Sequence, residues 1–118
     1  MVKKKKYKGT IILESLIDDR QLNNFEIIGC TVTKQDDPQR RWHLFAVLIL
    51  EEDIRQLASN LKAEKWYAHF WNGDDVIAVY PLCTFNFKHS DKTTWTQAIE
   101  YGRSLGIPEQ QLDFIIEV

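Results

Sequence analysis

Cysteine is scarce in this chain. Cys30 and Cys83 lie far apart and form no Cys-x-x-Cys pair, so the spacing that zinc sites and dithiol redox centres require is missing. Both read as reduced, semi-buried thiols of a cytosolic protein. Long hydrophobic runs are missing too. Phe45 to Leu50 and Ile11 to Leu13 are the longest, far short of the roughly 20 apolar residues that a spanning helix needs. No small-residue cleavage site follows the basic start, so no signal peptide is expected and the chain is placed in the cytoplasm, with no membrane partner. There is no glycine-rich phosphate loop, no His-Glu-x-x-His, no Gly-x-Ser-x-Gly and no EF-hand loop. Nothing therefore specifies a reaction, and no cofactor or metal is expected. A formal net charge of −2 makes nucleic acid an unlikely main partner, because affinity there rests on neutralising phosphates.

What is present suits one globular domain. A chain of 118 residues buries roughly two-thirds of its unfolded surface, enough for a core without disulfides or metals. Aromatic content is high at 12%, and aromatic side chains bury large areas in cores, pockets and interfaces. The strongest local signal runs from Lys65 to Tyr80. Two β-rich runs flank Asn72-Gly73-Asp74-Asp75, and Asn-Gly tolerates the positive φ that tight hairpin turns demand. The first run puts Trp66, Ala68 and Phe70 on one face and Tyr67, His69 and Trp71 on the other.

Met1 to Lys8 carries five lysines and is expected to be a flexible, solvated arm that keeps an edge strand from aggregating. Residues 9–118 form the domain. Tyr7 to Leu16 reads as a central strand, apolar on both faces and interrupted by Glu14. Ile17 to Asn24 is a short helix or turn-rich connection. Phe25 to Lys34 is a second strand, with Ile28, Cys30 and Val32 on one face. Gln35 to Arg40 is a hairpin loop, since Pro38 cannot continue a ladder, and Arg41 to Leu50 is an interior third strand. Glu51 to Glu64 has helical periodicity in Ile54, Leu57, Ala58 and Leu61, with acidic residues at its start and lysines at its end. After the hairpin, Pro81 marks a bend or an edge, and Leu82 to Lys88 alternates again. A second helix spans about Thr94 to Leu105, with Trp95, Ala98, Ile99 and Gly102 on one face and a Thr94–Gln97 capping box. Gly106 and Pro108 form its stop. Pro108 to Leu112 adds one helical turn, and Phe114 to Val118 is a terminal strand or tail.

That order predicts an α+β protein of the ferredoxin-like (split βαβ) kind. Its antiparallel or mixed sheet carries a β-hairpin extension, and two main helices pack on one face. The run Lys65-Trp66-Tyr67-Ala68-His69-Phe70, the Asn-Gly turn and the stretch from Tyr101 to Leu112 resemble short prokaryotic proteins of uncharacterised function. The resemblance covers mainly the C-terminal half. It implies a small stand-alone α+β protein and no catalytic residue.

Two constellations stand out for function. Glu14, His43 and His69 each fall on a predicted strand. A carboxylate beside an imidazole makes a poised acid–base pair, provided that the strand register puts all three on one face. Tyr67, His69 and Trp71, with Tyr80 across from them, line the other face of the hairpin. There they form either a surface for a ligand or second subunit, or core covered by the Trp95 helix. The adjacent pairs Asp36-Asp37 and Asp74-Asp75 point to opposite sides of the chain and do not chelate by spacing alone. The expected function is a self-associating module, a homo-oligomer that binds a protein or small molecule. The alternative is a small enzyme using the Glu/His set.

Overall fold

The computed structural model describes residues 6–63, 66–112 and 114. Their strands are β1 (Lys6–Ile12), β2 (Glu26–Val32), β3 (His43–Leu50), β4 (Ala68–Asn72), β5 (Asp75–Tyr80) and β6 (Cys83–Lys88), with α1 (Glu51–Ala58) and α2 (Thr96–Ser104) as helices. The strands form a six-stranded sheet in the order β2-β3-β1-β4-β5-β6, and every neighbouring pair is antiparallel. The protein is therefore α+β, with a sheet larger than a split βαβ unit. Lys6, Tyr7 and Lys8 of the basic segment already belong to β1. Residues 1–5, and most of the terminal stretch Phe114 to Val118, lie outside the described residues.

β1 occupies the middle of the sheet. It pairs with β3 from Lys6↔Leu50 to Ile12↔Leu44, and with β4 at Lys8↔Trp71 and Gly9↔Phe70. Gly9 is required at that crossing. A Cβ there would sit 2.3 Å from Phe70 Cδ1 and 2.6 Å from the His69 carbonyl oxygen. The expected strand to Leu16 ends early, because Leu13–Ser15 turns into a 3-10 helix. Ser15 Oγ donates to the Ile12 carbonyl at 2.5 Å, a local bond that competes with the ladder.

The helices cover opposite faces of the sheet, not one face as the element order suggested. Ile54, Leu57 and Ala58 of α1 pack with Tyr7, Ile11, Val47, Ile49, Phe70, Ile77 and Val79. Trp95 and Ala98, just before and within α2, pack with Val76, Ala78, Tyr80 and Phe87. Successive residues of a strand point to opposite faces, so β5 supplies both cores in turn and is buried from Val76 to Tyr80. Each fully buried aliphatic side chain contributes about 1.5–3 kcal/mol.

The first helix is shorter than its periodicity implies. It ends at Ala58, although Leu61 is buried as expected. Leu61 instead forms a β-bridge with Leu16, and Lys62 N–H donates to the Ser15 carbonyl at 2.8 Å. Asn60 is drawn off to the Asp18 backbone and the Gln21 side chain. The Thr94–Gln97 capping box does not form. The Thr94 hydroxyl instead donates to the Asp91 carbonyl and receives the Lys88 N–H. Asp91 caps the preceding 3-10 turn by accepting from Thr93 N–H. The helix stop is as predicted. Gly106 has φ +85, its N–H donates to the Arg103 carbonyl, and the Ile107 N–H donates to that of Gly102, a Schellman arrangement.

The two-residue turns of the β4–β5 and β5–β6 hairpins each use a positive φ. At the first, Asn72 pairs with Asp75 and Gly73 alone takes the left-handed value, +57. At the second, Tyr80 pairs with Cys83 around Pro81-Leu82. Leu82 has φ +65 and its side chain is 83% exposed. A branched residue in that conformation costs about 1–2 kcal/mol.

Two stability measurements follow. Gly9→Ala is expected to lower the unfolding free energy by about 1–3 kcal/mol or more, read from urea titration, because Phe70 and the backbone beside it must move. Leu82→Gly is expected to raise it by up to about 1 kcal/mol, since the lost side chain buries almost nothing. A fall in the second case would show that the turn carries no strain.

Candidate functional site

The structure brings Glu14 and His43 together at one end of the sheet. Glu14 sits in the 3-10 turn after β1, not on a strand, and His43 opens β3. The His43 backbone N–H donates to Glu14 Oε1 at 2.7 Å, and His43 Nδ1 lies 2.8 Å from Glu14 Oε2. One carboxylate thus grips both the main chain and the ring of the same residue. The turn that aims Glu14 is itself held by Ser15 and by the Ser15–Lys62 backbone bond.

Partial burial pushes the Glu14 pKa up, but the His43 backbone N–H and imidazole outweigh it. The net value lies below the ordinary 4.5. An ionised carboxylate only accepts hydrogen bonds, so Nδ1 carries the proton and Nε2 keeps its lone pair in the neutral ring. The imidazole is 44% exposed and the carboxylate 31%. The pair is thus an oriented base open to solvent. Close by in sequence, Trp42 packs on Trp66 with ring centroids 5.3 Å apart, and Trp42 is 42% exposed.

His69 does not join them. Ladder partners share a face, so Phe70, Gly9 and Val47 mark one side of the sheet. His43 lies on that side by alternation along β3, and His69 on the other. There the His69 ring meets Trp71 at 5.5 Å and Phe114 at 5.6 Å.

The aromatic face of the hairpin lies beneath α2 and the segment after it. Tyr80 is completely buried, and Tyr67 and Trp71 are partly buried against its cluster. Tyr80 Oη donates to the Ala98 carbonyl at 2.8 Å. Burial, then the neighbouring Tyr67 and Cys83, push its pKa well up. Tyr67 Oη donates to the Gln111 carbonyl. The Tyr80 ring also packs on Phe85 and Tyr101. Of the two readings of this face, the geometry matches core for Tyr80 and a half-covered rim for Tyr67, His69 and Trp71.

A shallow cavity of about 410 Å³ is lined by Asp18, Arg20, Gln21, Asn24 and Asn60. Arg20 donates from Nε and Nη2 to the Asp18 carboxylate, which holds its pKa down at about 2. The acidic pairs serve as turn braces: Asp37 accepts from Gln39 N–H, Asp74 from Ser90, and Asp75 pairs with Lys88. Among the described residues, no three His, Cys, Asp or Glu groups are placed to hold a metal ion, and no helix is long and apolar enough to cross a membrane.

Sequence reasoning missed the edge formed by β2. All seven of its residues are exposed, and its ladder with β3 is broken by a bulge between Ile27 and Gly29. A glycine inside a strand was the available signal, because it marks bulges and edges. No family model, curated protein or solved structure matches this chain.

A pH experiment tests the Glu14–His43 contact. A carboxyl whose folded pKa is depressed gives stability that is present above its unfolded value and lost as pH falls through the folded one. Wild type is therefore expected to exceed Glu14→Gln in stability above pH 4.5. That gap should close on acidification below it. A gap independent of pH would show that the carboxylate's charge is not what holds His43.

Proposed function

We propose that this chain is a self-associating binding module that takes up an extended strand along the edge of β2. One observation carries the reading: β2 is exposed along its whole length, with Ile27 at 45%, Ile28 at 47% and Val32 at 46%. An edge strand with apolar side chains and unpaired backbone groups is a template for pairing, and natural edges that stay single carry lysine, proline or a bulge to prevent it. β2 contains neither lysine nor proline, and its bulge is confined to Ile27–Gly29, which leaves the ladder from Gly29 to Val32 regular. The opposite margin is guarded. At the end of β6, Thr94 Oγ1 receives the Lys88 N–H, and Trp95 Nε1 donates to the Lys88 carbonyl. The strand order β2-β3-β1-β4 supports reading this half as a ferredoxin-like core that β5 and β6 extend. A cytoplasmic setting fits two thiols with no partner cysteine.

A second reading rests on the 2.8 Å contact between His43 Nδ1 and Glu14 Oε2. An imidazole so oriented is a competent general base, and it supports a small enzyme that transfers protons at the end of the sheet.

Native mass spectrometry of the full chain separates the two. A dimer or larger assembly with no added mass is expected, and Val32→Lys should shift it to monomer by placing a desolvation-resistant charge on the edge. A monomer that retains a bound small molecule, and loses it in His43→Ala, would overturn the binding-module reading in favour of the second.

A further inference from the structure

The hairpin turn at Asn72-Gly73 holds a reactive amide. We propose that Asn72 is a site of spontaneous deamidation, restrained by its bond to β1, and that the reaction opens the seam between β1 and β4. The inference stands apart from the preceding reading of β2.

The chemistry starts from the residues. Of Asn23, Asn24, Asn60, Asn72 and Asn86, Asn72 alone precedes glycine. A backbone nitrogen attacks the preceding side-chain amide most readily when no Cβ crowds its approach. The Gly73 nitrogen bonds to Asn72 Cγ and the Cγ–Nδ2 bond breaks. The Gly73 amide proton departs with Nδ2 as ammonia, and a five-membered imide remains. Water then opens the ring at either carbonyl, leaving aspartate or isoaspartate at position 72. Water is the one co-reactant in this balance.

The turn stands open, yet Asn72 is held. Gly73 has φ +57 and is the first central residue of a two-residue turn in which Asn72 pairs with Asp75, the pattern of a type II′ turn. A Cβ placed on Gly73 would meet nothing within 4 Å. Asn72 is the last residue of β4, and its Nδ2 donates to the Lys6 carbonyl at 2.7 Å. The extended backbone and the tethered amide keep Cγ from swinging onto the Gly73 nitrogen. Reaction therefore waits for a local opening that releases the strand end and the Lys6 bond together.

The same bond makes the product consequential. The β1–β4 ladder pairs Lys8 with Trp71 and Gly9 with Phe70, and the Asn72 side chain extends that join to Lys6. A carboxylate at position 72 has no proton to donate and sets negative oxygen against the Lys6 carbonyl. Isoaspartate also lengthens the main chain by one carbon, and hairpin register depends on the length of the turn. The other side of the turn is separately fastened. Asp74 accepts from the Ser90 N–H and hydroxyl, and its carbonyl accepts from His89 N–H. The loss is thus directed at the β1 seam.

The test is timed incubation of the full-length chain in mildly alkaline buffer, with peptide mapping by mass spectrometry and an isoaspartate assay. Modification is expected at Asn72 before any other asparagine, and about ten-fold or more faster when urea unfolds the chain. Gly9→Ala crowds the neighbouring crossing and should speed the reaction with Asn72 and Gly73 unchanged. Urea below the unfolding midpoint applies the same pressure if that variant does not fold. The modified fraction, separated by anion exchange, is expected to have a lower urea midpoint than unreacted protein and faster amide exchange across Tyr7 to Ile11. Asn72→Asp should lower the midpoint likewise. If the folded chain keeps Asn72 intact under conditions that modify the unfolded chain, the site is overturned. If Asn72 reacts equally fast folded and unfolded, the Lys6 tether is no restraint. A modified fraction with unchanged midpoint and exchange would show that the seam does not depend on the amide.

Discussion

The contact between Phe70 and the bare backbone of Gly9 holds the two halves of this protein together. β1, β2 and β3 form one set of strands, and β4, β5 and β6 another. β1 and β4 are joined at Lys8↔Trp71 and Gly9↔Phe70. Such a short ladder offers few hydrogen bonds, so side-chain packing must supply the rest of the cohesion. A ring laid across a glycine brings the two strands' apolar surfaces together with no intervening Cβ. Phe70 is completely buried there and sits in the same core as Val47, Ile54 and Leu57. The α1 core is thus assembled from both halves, and it cannot close unless this crossing is made.

The same crossing sets the positions of the polar groups. With Gly9, Phe70 and Val47 fixed on one face, alternation sends His43 to that face and His69 to the other. Glu14 reaches His43 because β1 stops at Ile12 and the chain curls into a 3-10 turn. The result is an oriented imidazole at one end of the sheet and a separate aromatic layer on the opposite face. The two are not parts of one site. The edge at β2 lies on the side of the sheet away from β4 and the aromatic layer, which leaves it accessible whatever covers the hairpin.

Much of the fold was legible in the residues. The apolar spacing of Ile54, Leu57, Ala58 and Leu61 identified four side chains that are all buried. Gly106 followed by Ile107-Pro108 marked a helix stop that the Schellman bonds realise. The Asn-Gly turn was found, though Gly73 alone uses a positive φ and Asn72 remains in the strand. The candidate site was half legible. Glu14, His43 and His69 were named as one set from chemistry alone; the first two meet, but the inclusion of His69 depended on a register that local patterns do not encode. The Trp42–Trp66 contact and the exposure of β2 left no periodic trace, because both depend on how strands distant in sequence are ordered in the sheet.

By itself, the sequence determined which segments form the main strands and helices and which residues turn the chain, though not where β1 and α1 end. Those outcomes depend on φ preferences, capping and apolar period, all of which act over a few residues. The tertiary structure alone decided that the helices take opposite faces, that α1 ends at Ala58 and that β2 is left at the edge. Each of these is a competition between distant segments. β5 is apolar on both faces and can be satisfied only by a helix on each side. Leu61 and Lys62 leave the helix because Leu16 and Ser15, far away in sequence, offer them a bridge. No window of local sequence contains both partners in such a contest, so its outcome is written in the packing.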